Sequence, residues 1–329
     1  MPIIMAIPNP AVPSPIPADR AAVPLRRLAF RALGTDCEMS FVAPGPAIAG
    51  HFEAEARAWV ERFEARYSRF RPTSIVSRIN QAAGSWVDID AEAEQMLDIC
   101  QALHAMSDGI LDATTGPLLR LWNYRQPPSV LPDAAQITAA RQLVGWPMVR
   151  RAPGRVMLPH TGMSLDFGGW GKEWAVDAVA ELALQAGVKN ILIDFGHDIR
   201  GLGAPPDRPA WHVGLEDPAA PGTHSGSIAL LAGRGIASSG DYIRNFTHAG
   251  RRYGHIIDPR TGRPVTHGCR QTTVVADSCF KAGILSTTAF ILGPTAGLDF
   301  IQRFPGAEGL FVTDTHRTQT RGFWNYVVT

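Results

Sequence analysis

The chain has 329 residues, of which 45% are hydrophobic and 19% charged, a composition typical of a folded protein of one large domain or two small ones. Its 31 Lys and Arg residues nearly balance its 30 Asp and Glu residues, which argues against broad electrostatic binding to nucleic acid or to anionic membranes. Since no apolar run is long enough to span a bilayer, we expect neither a nucleic-acid partner nor an integral membrane segment.

Residues 1–27 are predicted to form a flexible arm, because seven prolines within residues 1–24 interrupt helices and strands. This stretch has neither the basic start nor the apolar segment of a signal peptide, and no cysteine follows it that could carry a lipid. We therefore expect a cytoplasmic location. The four cysteines of the chain form no C-x-x-C pair, which excludes a zinc ribbon and a thioredoxin-type motif.

The rest of the chain, residues 28–329, is predicted to be a single α+β domain. Apolar residues at helical spacing predict helices at 51–68, 92–106, around 176–183 with Gly187 ending the helix, and 279–292 with Gly293 ending it. Short apolar runs predict strands at 191–193, 211–215, 227–231, 272–276 and 310–313. Because helices and strands do not alternate strictly, a doubly wound parallel sheet is disfavoured, while two intertwined halves remain an alternative to one domain.

The segment from Leu165 to Glu173 places three glycines and a lysine just before a predicted helix. Glycines let a ligand approach the backbone, and a helix N-terminus offers unpaired N–H groups to an anion. Lys172 adds a charge that suits a phosphate. A tight turn with a solvated lysine explains the same residues, so both interpretations stay open. A P-loop and a Rossmann fingerprint are excluded by the positions of the glycines and by Asp166 and Glu173.

Two further segments contain polar residues with more than one interpretation. Residues 258–262 read Asp-Pro-x-Thr-Gly, which good turn chemistry explains without any function. His255, just before that turn, fits either a core histidine or a proton-transfer group, since its ordinary pKa is near neutrality. Residues 108–118 taken alone predict a loop.

Taken in order, these and other segments resemble the ApbE family, the FAD:protein FMN transferases, over residues 34–293. The matching segments are LGT at 33–35, SRF at 68–70, SRIN at 77–80, DATTGPL at 112–118 with LW at 121–122, residues 165–177, GVKN at 187–190, residues 211–218, SGDY at 239–242 and residues 255–264. Each segment alone is a weak signal, whereas eight of them in the right order are specific.

The resemblance implies a one-domain α+β fold with a deep flavin-binding cleft. It also implies a transferase that splits FAD at the pyrophosphate, attaches FMN through a phosphoester to a Thr or Ser of a target protein, and releases AMP. FAD would be the substrate and an acceptor flavoprotein the partner. In such phosphoryl transfer, positioning and charge neutralisation supply most of the rate.

The resemblance further implies roles for individual residues. His255 is the candidate base for the incoming hydroxyl, and Lys172 is a catalytic contact to the nucleotide. The residues implied in binding FAD are Leu33, Phe70, Ile110, Leu111, Asp112, Asp166, Gly168, Lys172 and Ile257. The implied Mg²⁺ ligands are the carbonyl of Gly169 and the side chain of Thr287.

The chain departs from the family at this metal site. The family motif Ala-Asp-x-x-x-Thr corresponds to residues 282–287, where Gly283 replaces the carboxylate and Thr287 is retained. Because Mg²⁺ prefers carboxylate oxygens together with substrate phosphates, Mg²⁺ binding is doubtful, and a Gly283→Asp variant is expected to gain activity. The other departures are Gly254 in place of Ser, Glu173 and Trp174 in place of Gly and Tyr, and His197 in place of Gly.

The missing carboxylate motivates two alternatives to a transferase. The first is an FAD-binding homologue that transfers nothing. The second is a hydrolase that splits FAD into FMN and AMP, with water in place of the acceptor hydroxyl.

Overall fold

A β-hairpin opens the part of the chain that the structure describes. The structure, a computed structural model, describes residues 24–230 and 233–328. Strands β1 (Arg26–Ala32) and β2 (Thr35–Val42) pair antiparallel, and the turn between them holds Leu33 and Gly34 at positive φ. Most of the predicted arm lies outside the described residues, and the first strand begins two residues before the predicted domain start at residue 28.

Eight α-helices lie within the described residues, and they include the four that periodicity predicts. They are α1 (Pro46–Tyr67), α2 (Ile75–Gln81), α3 (Ala91–Met106), α4 (Gly116–Leu121), α5 (Ala134–Arg141), α6 (Gly171–Gln185), α7 (Cys279–Leu292) and α8 (Pro294–Gln302). The predicted helices correspond to α1, α3, α6 and α7, and Gly187 and Gly293 follow the last two with φ of +80° and +84°. In the described ranges, no helix is both long enough and apolar enough to cross a membrane.

The other strands are short and follow in chain order. They are β3 (Val87–Asp88), β4 (Arg150–Ala152), β5 (Arg155–Met157), β6 (Asn190–Phe195), β7 (Asp198–Leu202), β8 (Trp211–Glu216), β9 (His224–Leu230), β10 (Gly235–Gly240), β11 (Asn245–His248), β12 (Arg251–Gly254), β13 (Ile257–Asp258), β14 (Arg263–Pro264), β15 (Cys269–Ala276), β16 (Glu308–Thr313), β17 (Arg317–Gln319) and β18 (Val327–Val328). The five predicted strands correspond to β6, β8, β9, β15 and β16, although residue 231 falls outside the described residues.

An eight-stranded antiparallel sheet forms the centre of the fold, in the order β1-β2-β6-β7-β10-β15-β16-β17. Helices α1, α6 and α7 pack with it in the main core, where Phe41 and Phe195 from the sheet lie with Phe52 from α1. A second core holds Trp211 and Ile228 of the small sheet β18-β9-β8 against residues of the large one. This architecture confirms the predicted single-domain α+β fold.

Candidate functional site

The glycine-rich loop before α6 is anchored on both sides by distant segments. Asn80 Nδ2 donates to the carbonyl of Leu165 at 3.0 Å, and Leu165 N–H donates to Asn80 Oδ1 at 2.6 Å. The N–H of Asp166 donates to the carbonyl of Ala113 at 2.7 Å. The glycines that follow, Gly168 and Gly169, are exposed. The loop is therefore held in place while its glycine backbone stays open to a ligand.

The N-terminus of α6 keeps unpaired amides. Its N-cap residue, Trp170, makes no side-chain capping bond. Within the part of the chain that the structure describes, the N–H groups of Gly169, Lys172 and Glu173 have no acceptor. Unpaired amides at the start of a helix, together with the positive end of the helix dipole, favour an anion such as a phosphate.

Asp166 organises this loop through both carboxylate oxygens. Its Oδ1 accepts the N–H of Gly168 at 2.8 Å, and its Oδ2 lies 2.9 Å from Arg69 Nε. The carboxylate thus fixes the turn and aims a guanidinium at the loop. Sequence reasoning implied Asp166 and Gly168 as direct contacts to the nucleotide, a role that stays a prediction, and it did not single out Arg69.

Lys172 is buried and uses its ammonium group within the protein. Its Nζ donates to the carbonyls of Phe195 at 2.9 Å and Gly196 at 3.4 Å, and it forms an ion pair with Asp198. Burial is the largest cause of a lowered pKa for this lysine. An ammonium has three protons to donate, and all three have acceptors here. The structure therefore shows Lys172 tying the first turn of α6 to the β6–β7 turn, and its implied contact to the nucleotide stays a prediction.

An exposed aromatic chain connects the loop to His255. Phe70 is 66% exposed, and the guanidinium groups of Arg69 and Arg125 lie 4.3 Å and 5.7 Å from its ring centroid. Arg125 also lies over the ring of Tyr124, which contacts His255 edge-on at 5.8 Å. Phe70, implied as a wall of the flavin site, is thus free to stack on a planar ligand.

His255 is held as a neutral imidazole. Its Nδ1 lies 3.2 Å from the carbonyl of Arg244, so Nδ1 carries the proton that is donated and Nε2 keeps its lone pair. Burial, with the nearby charge of Arg244 as the next cause, lowers the pKa of His255 to about 4. The side chain is therefore ready to accept a proton at neutral pH.

Arg244 connects the histidine to the loop electrostatically. The side chain is exposed, and its charge contributes to the lowered pKa of both His255 and Lys172. These three residues therefore lie close enough to share one field, with Arg69 on the other side of the loop. Sequence reasoning missed Arg244, because nothing in the sequence near it marks it as more than a surface arginine.

The residues implied as walls of the site are mostly structural in their contacts. Asp112 accepts N–H bonds from Thr114 at 2.7 Å and Trp146 at 2.8 Å, and is itself buried. Its neighbours Ile110 and Leu111 are buried as well. These three residues lie next to Asp166, because Ala113 receives the Asp166 amide.

The remaining wall residues lie on two different turns. Ile257 is buried in a satellite core with Trp122 and Tyr253. Leu33 lies in the β1–β2 turn, which contacts the β6–β7 turn because Gly196 N–H donates to the carbonyl of Asp36 at 3.0 Å. The structure therefore brings Leu33 towards the anchor of Lys172, and Ile257 stands behind His255.

The implied metal ligands lie near a hydroxyl cluster rather than a carboxylate cluster. Ser239 Oγ is 2.9 Å from both Ser286 Oγ and Thr287 Oγ1, and the carbonyl of Gly169 belongs to an exposed residue. No group of three or more His, Cys, Asp or Glu side chains suited to a metal occurs among the described residues. One carboxylate does face this region, since Glu173 on α6 lies against Gly283 on α7.

Comparisons with known proteins agree with this geometry. A family model described as the ApbE family matches residues 33–311. A curated FAD:protein FMN transferase of Vibrio cholerae is 29% identical over 272 residues, which cover 81% of each chain. The apo structure of the flavinyl transferase ApbE of Pseudomonas stutzeri superimposes with a TM-score of 0.81 at 29% identity, covering 92% of this chain and 96% of that one. The apbe protein of Thermotoga maritima gives a TM-score of 0.82 at 28% identity, covering 93% and 100%.

Proposed function

The chain belongs to the ApbE family, and on that premise we propose that it acts as an FAD:protein FMN transferase. FAD is the substrate and a flavoprotein is the acceptor. The bond that breaks is the pyrophosphate linkage on the FMN side, the bond that forms joins the FMN phosphorus to a Thr or Ser oxygen of the acceptor, and AMP leaves. The acceptor residue type and the cytoplasmic location of the chain remain predictions from the sequence.

The observation that carries this proposal is the uncapped N-terminus of α6. Its free amides, the guanidinium of Arg69 held by Asp166 and the exposed charge of Arg244 all favour a pyrophosphate over a neutral ligand. Preorganised donors of this kind stabilise charge that develops on phosphate oxygens in the transition state. Phe70, with its exposed ring, is suited to stack on the isoalloxazine or the adenine.

His255 is proposed as the base. The acceptor hydroxyl gives its proton to Nε2, while Nδ1–H stays bonded to the carbonyl of Arg244 and fixes the ring orientation. A pKa of about 4 keeps the imidazole unprotonated at neutral pH, at the cost of weak basicity. The contribution of His255 is therefore orientation and a proton path for the acceptor hydroxyl.

The chain's residues also fit a divalent cation. The carbonyl of Gly169 and the hydroxyl of Thr287 would hold it together with one carboxylate and phosphate oxygens of the substrate, a set that suits Mg²⁺. Bound there, the ion would neutralise charge on the phosphate oxygens.

The experiment that tests the transferase is incubation of the protein with FAD, Mg²⁺ and an acceptor flavoprotein. We expect flavin fluorescence that stays with the acceptor after denaturation, and one AMP for each flavin attached. A His255→Asn variant should bind FAD normally and transfer FMN much more slowly. FAD binding without either product would leave only the FAD-binding alternative, and AMP without a labelled acceptor would identify a hydrolase.

A further inference from the structure

Glu173 is a buried carboxylate that the fold does not pair. It lies in the first turn of α6, is 8% exposed, and its Oε2 has no hydrogen-bond partner among the described residues. The neighbouring Lys172 does not neutralise it directly, since that ammonium already binds two carbonyls and Asp198. A buried and unpaired carboxylate is costly, so a retained one calls for a positive partner that comes from outside the chain.

The side chain of Glu173 fills the space that a side chain at position 283 would occupy. A Cβ placed on Gly283 would lie 2.5 Å from Glu173 Cγ, 3.0 Å from its Cδ and 3.1 Å from its Oε1. An aspartate at that position would place its carboxylate carbon about one C–C bond, ~1.5 Å, from the same point. The carboxylate of Glu173 and that of a hypothetical aspartate at 283 therefore belong to the same small volume.

The register between α6 and α7 fixes this arrangement. One turn further along α6, Asp177 accepts the N–H groups of Cys279 at 3.0 Å and Phe280 at 2.8 Å at the start of α7. Residues four apart share a helix face, so Glu173 on α6 meets Gly283 on α7. Thr287 lies one further turn along that face of α7, with Ser239 Oγ 2.9 Å from its hydroxyl.

We propose that Glu173 supplies the carboxylate of a divalent-cation site whose other protein ligands are Thr287 and the carbonyl of Gly169. This inference rests on the proposed function, because phosphate oxygens of FAD complete the set. The two departures from the family, Gly to Glu at 173 and Asp to Gly at 283, are then reciprocal: the carboxylate moves from α7 to α6 and the glycine moves the other way. A single carboxylate with substrate phosphates is a usual arrangement for Mg²⁺.

The proposal reverses one expectation from the sequence. Gly283→Asp alone should not gain cation binding, because the new Cβ would collide with Glu173 and place two carboxylates in one volume. We expect that variant to unfold at a lower temperature and to bind Mn²⁺ no more tightly than the parent. The double variant Glu173→Gly/Gly283→Asp removes the collision and should recover the site.

The test measures Mn²⁺ binding directly, by the electron paramagnetic resonance signal of free Mn²⁺ in the presence of saturating FAD and without acceptor. We expect the parent protein to bind Mn²⁺ and Glu173→Gln to raise the dissociation constant by about 100-fold, since ligand charge controls affinity for hard cations. FAD affinity in EDTA, followed by flavin fluorescence, should change little in Glu173→Gln. Glu181→Gln, an exposed substitution on the same helix, serves as the matched control.

The outcomes separate this inference from the proposed function. Mn²⁺ binding by Glu173→Gln equal to that of the parent would overturn the proposal, as would absence of binding by the parent with FAD bound. If Glu173→Gln does not fold, the double variant decides: folded protein without Mn²⁺ binding counts against the site. A parent protein that binds Mn²⁺ through Glu173 but transfers no FMN would leave the cation site standing and remove the transferase.

Discussion

At the scale of single residues, His255 and Arg244 form a pair in which one residue sets the protonation of the other. The folded pKa of His255, about 4, lies below its ordinary value of 6.5, so the neutral base is present at all pH values above about 4. We expect the rate of FMN transfer under kcat/KM conditions to fall only as the pH drops through about 4, instead of near 6.5. A pH–rate profile over pH 3.5–8 measures this.

Arg244→Gln supplies the control for that profile. The substitution keeps the backbone carbonyl that binds Nδ1 but removes the charge that disfavours imidazolium, so the acidic limb should move to higher pH. FAD affinity should fall by about tenfold through loss of one charge beside the phosphates. A limb that stays in place after this substitution would contradict the assignment of the limb to His255.

The same scale shows where sequence reasoning succeeds and where it stops. The loop at 165–173 could be identified from its residues, because glycines before a helix have few physical explanations. The relation between Glu173 and Gly283 could not, although both changes are visible in the sequence, because only the packing of α6 on α7 brings them together. The acceptors of Lys172 likewise come from the β6–β7 turn, which lies over twenty residues further along the chain.

At the scale of secondary-structure elements, length and local propensity decided what could be predicted. Helices α1, α3, α6 and α7 span 14 to 22 residues, enough turns for an apolar period to be visible. Strand β10 reads GIASSG, a sequence with little strand propensity, yet it pairs with β7 and β15 in the middle of the sheet. Tertiary pairing, and not local preference, makes that segment a strand.

The attachment of α6 to the sheet gives a prediction for Lys172. Because Asp198 is buried and would lose its cation, Lys172→Met should lower the free energy of unfolding by about 3 kcal/mol. Adding Asp198→Asn should recover part of that loss. Urea denaturation measures both, with the exposed Lys189→Met as control. A Lys172→Met protein of unchanged stability that no longer binds FAD would instead show that Lys172 contacts the nucleotide directly.

The junction between α6 and α7 gives a second prediction. Asp177 caps the start of α7 and also pairs with Arg200 at 2.7 Å, so Asp177→Ala leaves two amides and a guanidinium without their acceptor. We expect a loss of about 2–3 kcal/mol in the free energy of unfolding. The exposed Asp207→Ala should change it by less than about 0.5 kcal/mol. Equal effects of the two substitutions in thermal or urea unfolding would show that the cap contributes little.

At the scale of the whole molecule, the four cysteines report on opening of the fold. Cys37, Cys100, Cys269 and Cys279 are free and buried, and burial raises the pKa of Cys37 and Cys269 to about 11. Thiolates react and thiols hardly do, so a disulfide reagent at pH 8 should label almost none of them in the native protein and all four after denaturation. Labelling of the native protein then measures how often the core opens.

Binding of FAD should suppress that opening. Cys279 begins α7, whose next turn carries Gly283 against Glu173, so exposing this thiol requires the α6–α7 contact at the site to separate. A ligand that binds only the closed state at 100 times its dissociation constant stabilises that state by about 2.7 kcal/mol, equivalent to about a 100-fold drop in the open population. We therefore expect FAD to slow labelling of Cys279 by about that factor, measured by mass spectrometry of the labelled peptides. Cys100, which lies on α3 away from the loop, is the internal comparison: protection of both thiols indicates one cooperative unit, and protection of Cys279 alone indicates local opening of the site. Labelling of Cys279 at the same rate with and without FAD would contradict binding of FAD across the start of α6.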